Sequence, residues 1–144
     1  MKSMCRLLML LIVIVAAGCS TPPPRGYKAI PGPGWTTLEI RTDVTSDRAW
    51  QTVVEVLAKD FDLEFMSKED GYIRTAWSHT WNGIYLPQYR VRVTVLFPQD
   101  RQTIRLKPEA QALLDDRGWV AGTDERLLPG LKAELLGTLG RTLR

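Results

Sequence analysis

The sequence is poor in the side chains from which catalytic and metal sites are usually built. It has one histidine, His79, and two cysteines, Cys5 and Cys19. A site with several histidine ligands is therefore excluded, and a Ser-His-Asp triad would have to use His79. Neither a glycine-rich phosphate loop nor a nucleophile elbow is present. We expect no enzymatic activity, no cofactor and no metal, and we interpret His79 as a solvated loop residue.

A strong excess of one charge is also lacking. The chain has 19 basic and 16 acidic residues, and Lys2 and Arg6 in the N-terminal segment are two of the basic ones. The rest of the chain is close to neutral, without the lysine and arginine clusters that bind nucleic acid. We therefore expect no nucleic-acid partner.

The chain has one long apolar run, residues 7–17. It is shorter than the about 20 residues that a membrane-spanning helix needs, and with Lys2 and Arg6 before it the run is typical of a secretory signal. The stretch that follows, Val-Ala-Ala-Gly and Cys19, resembles the bacterial lipobox. This resemblance implies that residues 1–18 are a signal peptide and that the thiol of Cys19 carries a diacylglycerol.

Ordinary secretion with cleavage nearby and an uncleaved N-terminal anchor are the alternatives to lipidation. Cysteine usage favours lipidation, because Cys19 is the only cysteine outside the signal and has no disulfide partner. In the sorting rule that the lipobox implies, Ser20 permits export to the outer membrane. We expect a lipid-anchored protein of the outer membrane facing the periplasm in a Gram-negative host. In a host with one membrane, it would lie on the extracytoplasmic face.

Residues 19–34 are predicted to be a lipidated tether. Residues 20–34 contain five prolines and three glycines, a composition that favours extended polyproline geometry. At about 3.1 Å per residue, this segment could hold a domain up to roughly 45 Å from the lipid. We interpret it as a passive spacer, with a docking peptide for a partner as the alternative.

Residues 35–144 are predicted to form a single α+β domain. Trp50, Val53, Leu57 and Phe61 recur at helical spacing, and Thr45 or Ser46 can cap that helix. A second helix is predicted after a cap at Thr123 or Asp124, with its apolar face formed by Leu128, Leu131, Leu135 and Leu139.

Alternating apolar and polar residues predict five strands. They cover residues 38–44, 63–67, 72–77, 89–97 and 102–107, with a turn at Asp70-Gly71. We expect Pro108 to end regular pairing or to mark an edge, and residues 115–122 to form a loop. The order β-α-β-β-β-β-α favours an antiparallel sheet with both helices on one face. The other face would carry Arg90, Arg92, Thr94, Arg105 and Lys107 and meet water or a partner.

The segments from Asp47 to Leu57 and from Lys68 to Trp77 together resemble the BamC/NlpB lipoprotein domain. In that family a helix carrying Ala-Trp leads to a strand, a Gly-Tyr turn and a strand ending near Trp. The resemblance implies a two-layer, helix-grip-like fold and a non-enzymatic accessory role in outer-membrane assembly. Members of the family have two such domains, whereas this sequence holds one.

Aromatic residues are concentrated in residues 77–89. Trp77 and Tyr89 continue strand patterns and are predicted to close one end of the core, whereas Trp81 and Tyr85 form either an exposed interface or a core cover. Our candidate interface is Trp81, Tyr85, Arg90 and Arg92.

The predicted function is a membrane-tethered module that binds an envelope protein and helps in envelope assembly or maintenance. The main alternative is a carrier or sensor that holds a small apolar ligand between sheet and helices. An envelope hydrolase is a third possibility, which the missing catalytic groups disfavour.

Overall fold

The computed structural model describes residues 22–139, except residues 33 and 82. The predicted signal peptide of residues 1–18, the lipidation residue Cys19 and the sorting residue Ser20 lie outside the described residues. Among the residues that are described, no helix is both long enough and apolar enough to cross a membrane.

The described residues form an open antiparallel sheet with two helices, which confirms the α+β class. Neighbouring strands in the main sheet follow the order β1-β9-β8-β7-β4-β3, while β2 pairs with the first part of β8 and β5-β6 form a separate hairpin. The elements are β1 Tyr27–Ala29, β2 Thr36–Glu39, α1 Ser46–Asp60, β3 Leu63–Ser67, β4 Tyr72–Thr75, β5 Thr80–Trp81, β6 Ile84–Tyr85, β7 Tyr89–Leu96, β8 Thr103–Leu114, β9 Gly118–Asp124 and α2 Leu127–Thr138.

Helix α1 begins and ends where its sequence predicts. The side chain of Thr45 accepts a hydrogen bond from the backbone N–H of Arg48 at 3.2 Å, which satisfies one of the free donors of the first turn. Trp50, Val53 and Leu57 are buried on one side of the helix, as their spacing predicts. The helix therefore covers the sheet with a single apolar stripe.

Both helices contribute to one hydrophobic core with the same face of the sheet. The cap of α2 is Arg126, not Thr123 or Asp124, although the Asp124 carboxylate accepts a hydrogen bond from the Arg126 N–H at 2.9 Å. The buried leucines of this segment recur every four residues, at Leu127, Leu131, Leu135 and Leu139. The apolar stripe therefore begins at Leu127, whereas Leu128 was predicted. The sheet and α2 side chains in this core include Leu38, Ile73, Tyr89, Val91, Val93, Val95, Ile104, Leu106, Ala110, Ala112, Leu127, Leu131 and Leu135.

The predicted hairpin of β3 and β4 turns at Gly71. Its φ of +66° lies in the left-handed region, and a Cβ there would lie 2.7 Å from the carbonyl oxygen of Phe97. Glycine is therefore required at this position by both its backbone conformation and its close approach to the neighbouring chain.

Of the two expectations for Pro108, the end of regular pairing is wrong, whereas the edge corresponds to an unpaired gap along one side of β8. Pro108 lies opposite Val93 in the middle of β8. The N–H of Val93 points away from β8, because it donates to Thr75 Oγ1 on the β4 side. Val93 and Pro108 therefore form a non-hydrogen-bonded antiparallel pair, in which the two backbone nitrogens point away from each other. The Pro108 nitrogen thus points to the other edge of β8, between the pairing of β2 at Leu106 and that of β9 at Ala110. A missing donor has no cost in that gap.

The predicted loop at residues 115–122 and the predicted tether both contain strands. Gly118–Asp124 forms β9, and Tyr27–Ala29 pairs with it as the edge strand β1. The Tyr27 hydroxyl donates to the carbonyl of Val120 at 2.8 Å, and a side chain at Gly122 would overlap the Tyr27 ring. The fold therefore begins before Trp35, because a glycine in β9 lets the tyrosine of the N-terminal segment pack closely.

Candidate functional site on the open face of the sheet

The face of the sheet opposite the helices carries polar and charged side chains. Alternation in β7 and β8 directs Arg90, Arg92, Arg105 and Lys107 to this open face, as predicted, because the residues between them point into the core. Thr94 also points this way but is only 5% exposed, flanked in the sheet by Lys107 and Arg74.

Two tryptophans and two arginines form a continuous row on this face, which we call the stacked row: Trp119, Arg90, Trp77 and Arg92. The guanidinium of Arg90 lies 4.1 Å from the Trp119 ring centroid and 4.7 Å from that of Trp77. Arg92 contacts Trp77 at 4.4 Å. Each contact lies within the range in which a cation is attracted to an aromatic face.

Hydrogen bonds that both arginines donate to side chains of β8, the next strand, hold them in place. Arg90 donates twice to Gln111 Oε1, at 2.9 and 2.7 Å. Arg92 forms a two-point contact with Glu109, at 3.0 and 3.3 Å, and Lys107 lies 3.6 Å from the same carboxylate. Two-point contacts of this kind fix orientation as well as position. The row is therefore a rigid surface in which flat side chains alternate with cations.

The electrostatics of the row follow from its crowding. Partial burial lowers the pKa of Arg90, and the nearby charge of Arg92 lowers it further. An arginine remains protonated at neutral pH in spite of such shifts. The row thus keeps two adjacent positive charges, of which that of Arg92 is paired with Glu109.

The prediction that Trp77 closes the core is wrong. Arg74 pairs with Thr94, but Ser78 pairs with Val91, so the chain on the β4 side holds one extra residue between these two points. This irregularity reverses the alternation after Thr75 and turns Trp77 to the open face. Tyr89, in contrast, is buried in the core as predicted.

The hairpin β5-β6 continues the row at one end. The ring of His79 lies 5.9 Å from Trp119 and 6.2 Å from Tyr85. His79, which we interpreted as a solvated loop residue, is partly buried. Tyr85 is 67% exposed and its neighbour Ile84 is 61% exposed. The side chain of Trp81 lies outside the described part of the structure, although its backbone pairs with Ile84.

A buried polar cluster lies on the core side, and sequence patterns did not reveal it. The Tyr89 hydroxyl donates to Asp124 Oδ2 at 2.5 Å, and the Arg126 guanidinium donates to both oxygens of that carboxylate, at 2.9 and 3.1 Å. Burial and the bond to Asp124 raise the pKa of Tyr89. Since Tyr89 and Asp124 are each 1% exposed, we assign this cluster a structural role.

The helix side of the domain has a cleft of about 470 Å³ between the end of α1 and the start of α2. Its lining includes the ion pair between Lys59 and Glu134, whose charged atoms are 3.0 Å apart, together with Arg126. This lining differs from the predominantly apolar pocket that a carrier of small apolar ligands would need. No group of three or more possible metal ligands occurs in the part of the chain that the structure describes.

No protein-family model matches this chain, and no curated protein is significantly similar to it.

Proposed function

We propose that this chain is a lipid-anchored protein-interaction module of the cell envelope. In this proposal, lipid on Cys19 holds the domain at the outer membrane facing the periplasm. The domain acts there as a non-enzymatic accessory factor in envelope assembly or maintenance. The proposal includes the helix-grip-like arrangement and the BamC/NlpB-type role that the sequence resemblance implies.

The observation that supports this proposal most is the stacked row on the open face of the sheet. Tryptophan and arginine are enriched among the residues that dominate binding energy at protein interfaces. Arg90 and Arg92 are already held by Gln111 and Glu109, so a partner would not have to order them. Binding to side chains that are fixed in advance loses less conformational entropy.

The residues that carry the resemblance to BamC/NlpB have definite places in the fold. Ala49 and Trp50, the Ala-Trp pair of α1, are both buried against the sheet. Gly71 makes the turn that leads into Tyr72 and β4. The buried pair in α1 and the turn glycine thus each have a structural reason for their residue type. They favour a two-layer arrangement in which α1 and α2 cover one sheet face.

Site-specific photocrosslinking in living cells tests the interaction proposal. Trp35 lies on the open face, where its ring centroid is 5.0 Å from the Arg105 guanidinium. A crosslinking amino acid placed at Trp35 or Lys107 samples the open face, and one at the exposed Glu55 of α1 samples the helix side as a control. We expect the same envelope protein to be captured from the open face and not from Glu55. Equal capture from both sides, or no capture from either, would contradict the proposal.

The contribution of the stacked row can be separated from general surface charge. Arg92→Gln removes a cation that contacts both Trp77 and Glu109, whereas Lys59→Gln removes a cation from an exposed ion pair on the helix side. We expect the first variant to reduce capture at Lys107 at least tenfold, consistent with loss of a dominant contact, and the second to leave capture unchanged. Equal effects of the two substitutions would show that the row has no special part in binding.

The anchor has its own test. Cys19→Ala should leave an unprocessed precursor that incorporates no labelled fatty acid. Equal processing and labelling of the variant and the unaltered chain would refute lipidation at Cys19, and this outcome is independent of the crosslinking result.

A further inference from the structure

The described part of the N-terminal segment lies against the domain from Pro22 onward. Pro22, Pro23 and Pro24 form one small cleft together with residues 86–89, and β1 follows within a few residues. Only two residues separate Pro22 from Cys19. Since consecutive Cα atoms are at most about 3.8 Å apart, the chain from Pro22 back to Cys19 can span no more than about 11 Å. The reach of roughly 45 Å expected for a free tether is therefore not available while β1 is paired.

Four exposed apolar side chains lie at this same end of the domain. Ile84 and Tyr85 directly precede Leu86, which lines the proline cleft. The N–H of Leu113 donates to the carbonyl of Gln88 at 2.8 Å, so the end of β8 is adjacent to the same segment. We call these four residues the hairpin-end patch; they are Ile84 at 61% exposure, Tyr85 at 67%, Leu113 at 37% and Trp119 at 36%.

The members of the hairpin-end patch are connected to one another. Leu113 and Trp119 are direct partners across β8 and β9, and their side chains point to the open face. His79 contacts both Trp119 and Tyr85, which links the strands to the hairpin. The patch is therefore one continuous surface.

We propose that the hairpin-end patch contacts the lipid surface and seats the domain on the membrane beside its anchor. This inference rests on the proposed lipidation of Cys19, because the short distance from Pro22 brings this end of the domain to the bilayer. Tyrosine and tryptophan favour the membrane interface, where an apolar ring and a polar atom are both accommodated. Ile84 and Leu113 add apolar area that the same contact would bury.

The charges around the patch indicate which lipid chemistry it fits. Asp115, Asp116 and Arg117 form the turn between β8 and β9, Arg25 follows the prolines, and Arg90 lies against the Trp119 ring. Arg117 lies 3.5 Å from Asp116, so part of this charge is paired. With both signs present, the patch has no marked preference for anionic lipids. Contact should therefore be similar on phosphatidylcholine and phosphatidylglycerol vesicles and should change little with salt.

A fluorescent probe on the lipidated chain tests this proposal. Ile84→Cys, labelled with an environment-sensitive dye, places the probe in the patch, and Gln51→Cys places it on the exposed side of α1 as a matched control. Both positions are exposed, so neither substitution should disturb the core. In phosphatidylcholine vesicles that contain a spin-labelled lipid, we expect blue-shifted emission and at least threefold stronger quenching at position 84 than at position 51.

The outcomes distinguish this proposal from the proposal on which it rests. If Cys19 is acylated and residues 1–18 are removed, the unaltered chain has no free thiol and takes up no dye; dye uptake by it would contradict lipidation instead. Equal quenching at positions 84 and 51 in a chain that is lipidated would overturn the membrane contact. A third outcome is an emission shift at position 84 that requires added envelope protein and is not accompanied by quenching from the lipid. This outcome would assign the patch to a protein partner and would also overturn the proposal.

Discussion

The hydroxyl of Tyr89 can be removed while the core keeps its shape, because Tyr89→Phe retains the ring. That ring also packs edge-on against Tyr27, with centroids 6.0 Å apart, and the substitution leaves this contact in place. What is lost is one hydrogen bond of 2.5 Å to the buried carboxylate of Asp124. A hydrogen bond to a charged group contributes about 1.5–3 kcal/mol, so we expect the free energy of unfolding to fall by about 2 kcal/mol. For a domain of this size, that corresponds to a decrease in Tm of about 8 °C.

The effect of Tyr89→Phe should depend on pH in a defined direction. Burial alone would raise the pKa of Asp124, but hydrogen bonds from Arg126 and Tyr89 outweigh burial and hold that pKa below its usual value. The stabilisation that Asp124 provides is thus present above its ordinary pKa of about 4 and is lost as pH falls through the lowered pKa. The pKa of Tyr89 is raised, so its contribution is complete below about pH 10 and is lost at higher pH.

Urea denaturation of the variant and the unaltered chain at a series of pH values measures this difference. We expect the gap in unfolding free energy to be constant between about pH 5 and 9 and to narrow below pH 4. Tyr85→Phe is the matched control, since it removes the same hydroxyl from a ring that is 67% exposed and should change stability by less than about 0.5 kcal/mol. A gap that is near zero at pH 7, or that persists unchanged in acid, would refute our account of the buried cluster.

Two further predictions concern the fold. Leu57 is fully buried, so Leu57→Ala should lower the free energy of unfolding by about 2–5 kcal/mol in a denaturation experiment, and a change near zero would mean that the core contact is absent. Gly71→Ala should destabilise the domain by more than about 1 kcal/mol, because it adds a Cβ against Phe97 at a positive φ; Gly137→Ala, in the open on α2, is the control and should be neutral or stabilising. Equal thermal midpoints of the two glycine variants would contradict the argument from close approach.

Local sequence patterns were sufficient wherever one chain segment determines its own structure. Helix α1 has a cap and a regular apolar stripe, and its bounds follow from these. The alternation in β7 correctly directs Arg90 and Arg92 to the open face. The glycine of the β3-β4 turn is likewise required by local backbone conformation.

The features that could not be predicted depend on partners far away in sequence. Strand β9 has two glycines and little alternation, and it is a strand because β8 extends past Pro108 to pair with it. The direction of Trp77 depends on one extra residue in the pairing with β7, which composition does not reveal. The stacked row was missed for the same reason: Trp77 and Trp119 reach Arg90 from two different strand pairings.

The pairing of β1 with β9 also has a consequence for how far the domain would stand from the proposed anchor at Cys19. Tyr27 and Val120 are 93 positions apart, so β1 can dock only after nearly all of the domain has been synthesised, and it docks as a three-residue strand at the edge of the sheet. Short edge strands open locally without unfolding the rest of a protein, and hydrogen exchange should find the β1 amides exchanging well before those of β7. In a lipid-anchored chain, each such opening releases the N-terminal segment and lengthens the free tether between the lipid and the domain. The domain would then occupy two distances from the membrane, a short one with β1 paired and a longer one with β1 open. The free energy of pairing the three residues of β1 sets the relative populations of these two states.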